Sequence, residues 1–124
     1  VATPHAKEAE RWLAGASPAE ALADCTGESA TIVVTGPEDT PTGPEGRFCR
    51  ATGGHSRMAV GGTGDLLAGT IGGILAQGMS AWSAARLGCA LLREAGTRAA
   101  EKTAPGLLAE DVPVEIAMVL AEWT

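Results

Sequence analysis

The residues with the clearest chemical potential are Gly61-Gly62-Thr63-Gly64-Asp65, set just before the apolar positions Leu66, Leu67, Ile71, Ile74 and Leu75. A glycine cluster that opens a helix leaves several backbone N–H groups without an intrahelical acceptor. Those donors and the positive end of the helix dipole make a site suited to phosphate. Glycine also lets phosphate oxygens approach the main chain with no Cβ in the way. Asp65 falls in the first turn, where a carboxylate can accept the proton of a hydroxyl that attacks a terminal phosphoryl group. A plainer alternative stays open at this point: a tight turn followed by an ordinary helix-start acid. His5, directly after Thr3-Pro4, is a second candidate, which by itself also reads as an exposed residue of a helix's first turn.

These residues need elements to hold them. Thr3-Pro4 followed by His5, Ala6, Glu8, Ala9, Trp12 and Leu13 predicts a helix with Pro4 in its first turn, Trp12 and Leu13 on its apolar side and Gly15 as its stop. Ser17-Pro18-Ala19-Glu20 is a capping-box pattern, so a short helix is expected from Pro18 to about Asp24. Ala30-Thr31-Ile32-Val33-Val34 does not alternate and predicts a strand buried on both faces, as in a parallel sheet. Glu38 to Gly46 is rich in Pro, Thr and Gly and predicts an exposed turn, with Arg47 to Ala51 as the return strand. A helix from Asp65 to Gln77 contains Gly69, Gly72 and Gly73, whose helix-weakening effect is explained most simply by close packing against neighbouring backbone. Ser80 can cap an Ala-rich helix reaching about Lys102, on which Arg86, Arg93 and Lys102 read as a solvated face. A last helix is expected from Asp111 to Trp123 with Pro113 in its first turn.

The chain has 124 residues, enough for one compact domain or a piece of a larger one. It begins on Val1, and Thr3-Pro4-His5 follows at once, so it reads as lacking an upstream part. Apolar residues make up 45% and aromatics only 3%, which requires a core of aliphatic side chains and close glycine contacts. Fifteen acidic residues against nine basic ones give a formal charge of −6, and no basic stripe or aromatic ladder occurs. That balance argues against nucleic acid as a partner. It also means that an anionic ligand must be held by local dipoles rather than by the overall field. No charge-free apolar run reaches membrane-spanning length and no signal-like amino terminus is present, so a cytoplasmic protein without a membrane partner is expected. Cys25, Cys49 and Cys89 are widely spaced and lack metal-ligand patterns, which reads as free thiols. Trp82 and Trp123 read as core or interface anchors.

The order of strand, hairpin-like excursion, Gly-Gly-Thr-Gly-Asp and glycine-studded helix resembles the ribokinase-like superfamily, whose signature is Gly-x-Gly-Asp at such a helix start. Within it, the sequence is most similar to the NAD(P)H-hydrate dehydratases. Their pattern is Thr-Pro-His-x-x-Glu, a strand ending in Lys-Gly, then Gly-Asn-x-x-Met-Ala-x-Gly-Gly-Thr-Gly-Asp. Here the first element is Thr3-Pro4-His5-Ala6-Lys7-Glu8, and the last runs from Gly54-His55 through Met58-Ala59 to Asp65. Ile74-Leu75-Ala76-Gln77-Gly78 also resembles the family. The chain departs from the pattern at His55 for Asn and at Thr35-Gly36 for Lys-Gly. Arg57 is a candidate replacement charge and equally a candidate for solvent exposure.

The resemblance implies an α/β chain: a partial ribokinase-like fold with a parallel-sheet remnant, packed helices and a β-hairpin, residues 1–124 being the carboxyl-terminal portion of the domain. It implies that His5 lines the pocket of a hydrated nicotinamide ring and that Asp65 contacts the ring hydroxyl. Thr35, Gly36, Pro37, Glu38 and Asp39 would form a loop against the nucleotide, and Met58, Ala59, Gly61, Gly62, Thr63 and Gly64 would hold its phosphates. ADP or ATP would phosphorylate the hydroxyl of hydrated NADH or NADPH, phosphate would then leave, and magnesium would neutralise the nucleotide. A homo-oligomer is compatible with this reading. Two other functions use the same residues: a ribokinase-like kinase for a sugar or vitamin precursor, and a nucleotide-binding fragment with little turnover.

Overall fold

The sheet begins at the first residues of the chain. In the computed structural model, which describes all 124 residues, Ala2 to His5 runs parallel to β1 (Ile32–Val34), with bridges Ala2 to Ile32 and His5 to Thr35. The Val33 amide donates to the Ala2 carbonyl at 2.8 Å and the Thr35 amide to that of Pro4 at 2.9 Å. On its other side β1 pairs antiparallel with β2 (Thr40–Thr42), Val33 standing opposite Pro41. The chain then returns past β2 through antiparallel bridges at Phe48 and Ala51. Parallel pairing and a hairpin are therefore both present, on opposite edges of β1, but the hairpin partner is Thr40–Thr42 within the expected turn, and Arg47 to Ala51 forms isolated bridges rather than the expected return strand.

Local chemistry explains the helix starts. In α1 (Ala6–Trp12), His5 is the cap: its Nδ1 accepts the Glu8 amide at 3.2 Å while the Glu8 carboxylate accepts the His5 amide at 2.9 Å. Pro4 stays outside the helix. The Ser17–Glu20 box forms as its spacing predicts, but α2 spans only Pro18–Ala21 and ends before Asp24. Helices α3 (Thr63–Ala76), α4 (Ala81–Thr103) and α5 (Val112–Trp123) follow, with Ser80 capping α4 at the Ser83 amide and Pro113 in the first turn of α5. None of these helices is long and apolar enough to cross a membrane.

The core gathers on α4, which touches α3, α5 and β2. Leu67, Ile71 and Ile74 of α3, Val112 and Val119 of α5 and Val33 of β1 surround its Ala85, Cys89, Leu92, Ala95 and Ala99. Small residues on α4 set these distances: a Cβ added at Gly88 would stand 2.5 Å from Ile71 Cγ1, and one at Gly96 would overlap Met58.

Several local expectations change under packing. Glu38 to Gly46 is not an exposed turn, since Asp39 and the run from Pro41 to Pro44 are buried and β2 lies within it. Trp82 of α4 packs against Gly43, where an added Cβ would lie 3.1 Å from its Cε3, so a turn-like composition is enclosed by tertiary contact. Gly69, Gly72 and Gly73 do not pack against backbone: a Cβ at any of them meets nothing within 4 Å, because α3 turns its Leu67–Ile71–Ile74 side to α4 and these glycines face outward. Trp12 is 60% exposed, and Ala9 carries the buried side of α1.

Candidate functional site

A cavity of about 650 Å³ opens where the carboxyl end of β1, the 53–59 segment, the start of α3 and the middle of α4 converge. Its volume falls within the range of small-molecule and cofactor sites. Of the residues expected to act together, His5, Thr35, Gly36, Pro37, Asp39, Met58, Ala59, Thr63 and Gly64 line it. Glu38, Gly61, Gly62 and Asp65 lie outside the lining. Gly53, Gly54, His55, Ser56, Leu67, Leu92 and Arg93 complete the wall.

The start of α3 has the features of an anion site. Gly62 is its N-cap in the left-handed region, φ +99°, with no side chain to cap the helix. The positive φ favours glycine, and a Cβ there would meet Ala109 Cβ closely, at 3.1 Å. Thr63 Oγ1 donates to the Val60 carbonyl at 3.1 Å and braces the turn. The Leu66 amide already donates to the Gly62 carbonyl at 3.0 Å, so the free donors are those of Thr63, Gly64 and Asp65. Asp65 is exposed in this first turn, beside Gly64 on the cavity wall.

His5 lines the cavity with a half-exposed ring, its Nδ1 committed to the cap and its Nε2 3.4 Å from Glu8 Oε1. His55 Nδ1 accepts the Arg57 amide at 3.1 Å and caps the short 3-10 turn Ser56–Met58. Arg57 itself is exposed and outside the cavity lining, between the lining residues Ser56 and Met58.

The cation at the strand-end loop is instead Arg93, which the sequence placed on a solvated face. It is 8% exposed, and its Nε donates to Asp39 Oδ2 at 2.9 Å. Its remaining nitrogens donate to the carbonyls of Gly36, Pro37 and Gly53. Asp39 is accordingly held by a guanidinium at the cavity wall. A sequence signal existed: Cys89, Leu92, Arg93, Gly96 and Ala100 follow i, i+3, i+4 spacing on one apolar face, so position 93 belonged to the buried side. Arg86, over the Trp82 ring at 5.7 Å, and Lys102, paired with buried Glu115, are exposed as expected, so Arg93 alone departs from the solvated face. Cys89 lies behind the ion pair. Burial, reinforced by the Asp39 carboxylate and opposed by Arg93, pushes its thiol up to about 12, leaving it protonated and inert at neutral pH. No group of three or more His, Cys, Asp or Glu side chains is placed to hold a metal ion.

Residues 1–117 match the family model described as NAD(P)H-hydrate dehydratase. The chain is 35% identical over 129 residues to an ADP-dependent (S)-NAD(P)H-hydrate dehydratase of Xanthomonas campestris, covering 97% of this chain and 44% of that protein. It is also 35% identical over 127 residues to a bifunctional NAD(P)H-hydrate repair enzyme Nnr of Methanopyrus kandleri, covering 97% of this chain and 26% of that one. A crystal structure of a hypothetical protein from Streptococcus mutans superposes with a TM-score of 0.79 at 24% identity, covering 97% of this chain and 45% of that chain, a likeness of fold. The chain thus spans less than half the length of these relatives.

Proposed function

This chain belongs to the NAD(P)H-hydrate dehydratase family, and on that premise we propose that it serves the nucleotide-dependent dehydration of hydrated NADH or NADPH. One observation carries the reading: His5, the Thr35–Pro37 strand end and the Thr63–Gly64 helix start, far apart in sequence, line one cavity. In this reading the amides of Thr63, Gly64 and Asp65 receive the phosphates of ADP or ATP, while His5 lies against the hydrated ring. The ring hydroxyl oxygen attacks the terminal phosphorus, its proton passes to the Asp65 carboxylate, and AMP or ADP departs. The carbon–oxygen bond then breaks with inorganic phosphate as leaving group, and the neighbouring ring carbon gives up a proton to restore the double bond. Magnesium would arrive on the nucleotide's own oxygens and water, since the chain's carboxylates form no cage for it. A ribokinase-like kinase would share the phosphoryl transfer and stop before phosphate leaves.

We further propose that the segment corresponds to the carboxyl-terminal portion of the relatives' domain. Its share of their length and the open glycine side of α3 support its being a portion, and the motif pattern it resembles supports the carboxyl-terminal one. Positioning can contribute roughly 7–11 kcal/mol to barrier lowering, so a partial pocket should bind nucleotide weakly and turn over poorly. Calorimetry with ADP and ATP, and absorbance of regenerated NADH, should give weak binding and little turnover for this chain, and robust turnover for the Xanthomonas relative. Absence of heat with both nucleotides would sink the nucleotide reading. Equal turnover by the two proteins would sink the partial-pocket reading, and a stable phosphorylated product would favour the kinase.

A further inference from the structure

Arg93 stands out on the buried face of α4, which is otherwise built of Ala, Gly, Cys and Leu. Its Nε donates to Asp39 Oδ2 at 2.9 Å, its Nη1 to the carbonyls of Pro37 at 2.7 Å and Gly53 at 2.8 Å, and its Nη2 to that of Gly36 at 2.9 Å. All but one of the guanidinium's N–H donors are therefore committed to protein acceptors. A side chain so engaged reaches the cavity wall as a brace rather than as a phosphate ligand. Its acceptors come from two separate segments, the strand-end loop at Gly36–Asp39 and the turn at Gly53–Gly54, and both segments line the cavity. Asp39 extends the brace, since its Oδ1 accepts the Gly36 amide at 3.4 Å and its backbone pairs with Ala51. Gly54, at φ +83°, packs directly on the arginine: a Cβ there would lie 3.6 Å from both Cγ and Nη1.

We infer that Arg93 is a positioning residue, tying the Gly36–Asp39 loop to the Gly53–Gly54 turn and so setting the width of the cleft that receives the nucleotide. The inference rests on the nucleotide reading of the cavity. Lysine keeps the charge but donates from a single nitrogen, so it cannot span a carboxylate and carbonyls on two segments as the planar fork does.

The test uses Arg93→Lys, with Asp39→Asn as the milder variant and Val119→Ala as a destabilised control in the α4–α5 core. Amide hydrogen exchange on the ligand-free chain should speed up at 36–39 and 53–54 in Arg93→Lys, while α4 and α5 keep their protection. ADP and ATP affinity, measured well below each melting point, should fall on the order of tenfold or more, as for the loss of one hydrogen bond to a charged group. Asp39→Asn should show the same pattern at smaller size, and it decides the matter if Arg93→Lys does not fold. Val119→Ala should melt earlier and bind as the unmodified chain does. Unchanged exchange in both segments overturns the inference, as does an affinity loss that Val119→Ala shares. An unmodified chain that binds neither nucleotide sinks the functional reading instead, and the exchange comparison still decides whether Arg93 joins the two segments.

Discussion

Asp39 and Asp65 are both acids beside one cleft, yet their surroundings assign them different work. Asp39 is 4% exposed and tied to the Arg93 guanidinium, its Oδ2 accepting from Nε at 2.9 Å. Asp65 is exposed, one residue beyond Gly64 on the cavity wall, at the helix end where phosphate would collect. In a full-length enzyme carrying this site, Asp65→Asn should lower turnover by roughly 10²–10⁴-fold, the range for a positioned proton acceptor. Nucleotide affinity should hold or rise slightly, because a negative charge beside the phosphates is gone. Gly62→Val should act the other way, weakening nucleotide binding, since a β-branched residue is strained at φ +99° and its Cβ would crowd Ala109 at 3.1 Å. Steady-state kinetics with separate nucleotide binding measurements distinguish the two, and an unaltered rate in folded Asp65→Asn would reduce Asp65 to a helix-start residue.

Glycines on the helices divide into those that permit contact and those that meet nothing. Gly88 lets Ile71 of α3 reach the α4 backbone, so Gly88→Ala must push a buried β-branched side chain aside. Overpacking of this kind costs about 1–3 kcal/mol. Gly72 of α3 has no neighbour within 4 Å of an added Cβ, so Gly72→Ala should instead stabilise this chain by up to about 1 kcal/mol through helix propensity. Urea unfolding of both variants checks the pair of signs. A loss of stability in Gly72→Ala would mean that the open side of α3 is covered in solution. Gly96 is an intermediate case, because its would-be Cβ meets the flexible end of Met58, a cavity residue.

At the scale of the molecule, helices and sheet meet around α4, and Cys89 on α4 is fully buried. Its thiol is raised from an ordinary value of 9.0 to about 12, chiefly by burial. A raised folded-state value means that the native state holds the proton longer than the unfolded chain. The associated stability is therefore complete below about pH 9 and is lost as pH rises toward about 12. Stability measured across that window should fall less steeply in Cys89→Ala than in the unmodified chain. Identical slopes would show that the Cys89 thiol is not protected by the assembled core.

What the sequence by itself determined was whatever acts over a few residues. The Ser17–Glu20 capping box, the Ser80 cap and Pro113 in the first turn of α5 all follow from neighbours within one helical turn. The two ordered motifs were also legible, because motif identity is a matter of residue type and spacing. Tertiary structure alone decided how those pieces meet. The acceptors of Arg93 lie 40 to 57 residues away in sequence, so no local pattern could show that a helix cation would end between two loops. The same holds for Pro41 to Pro44, whose turn-forming composition says nothing of the Trp82 ring that helps enclose them. Short-range hydrogen bonds are written in spacing, whereas burial depends on which distant surfaces the chain brings together.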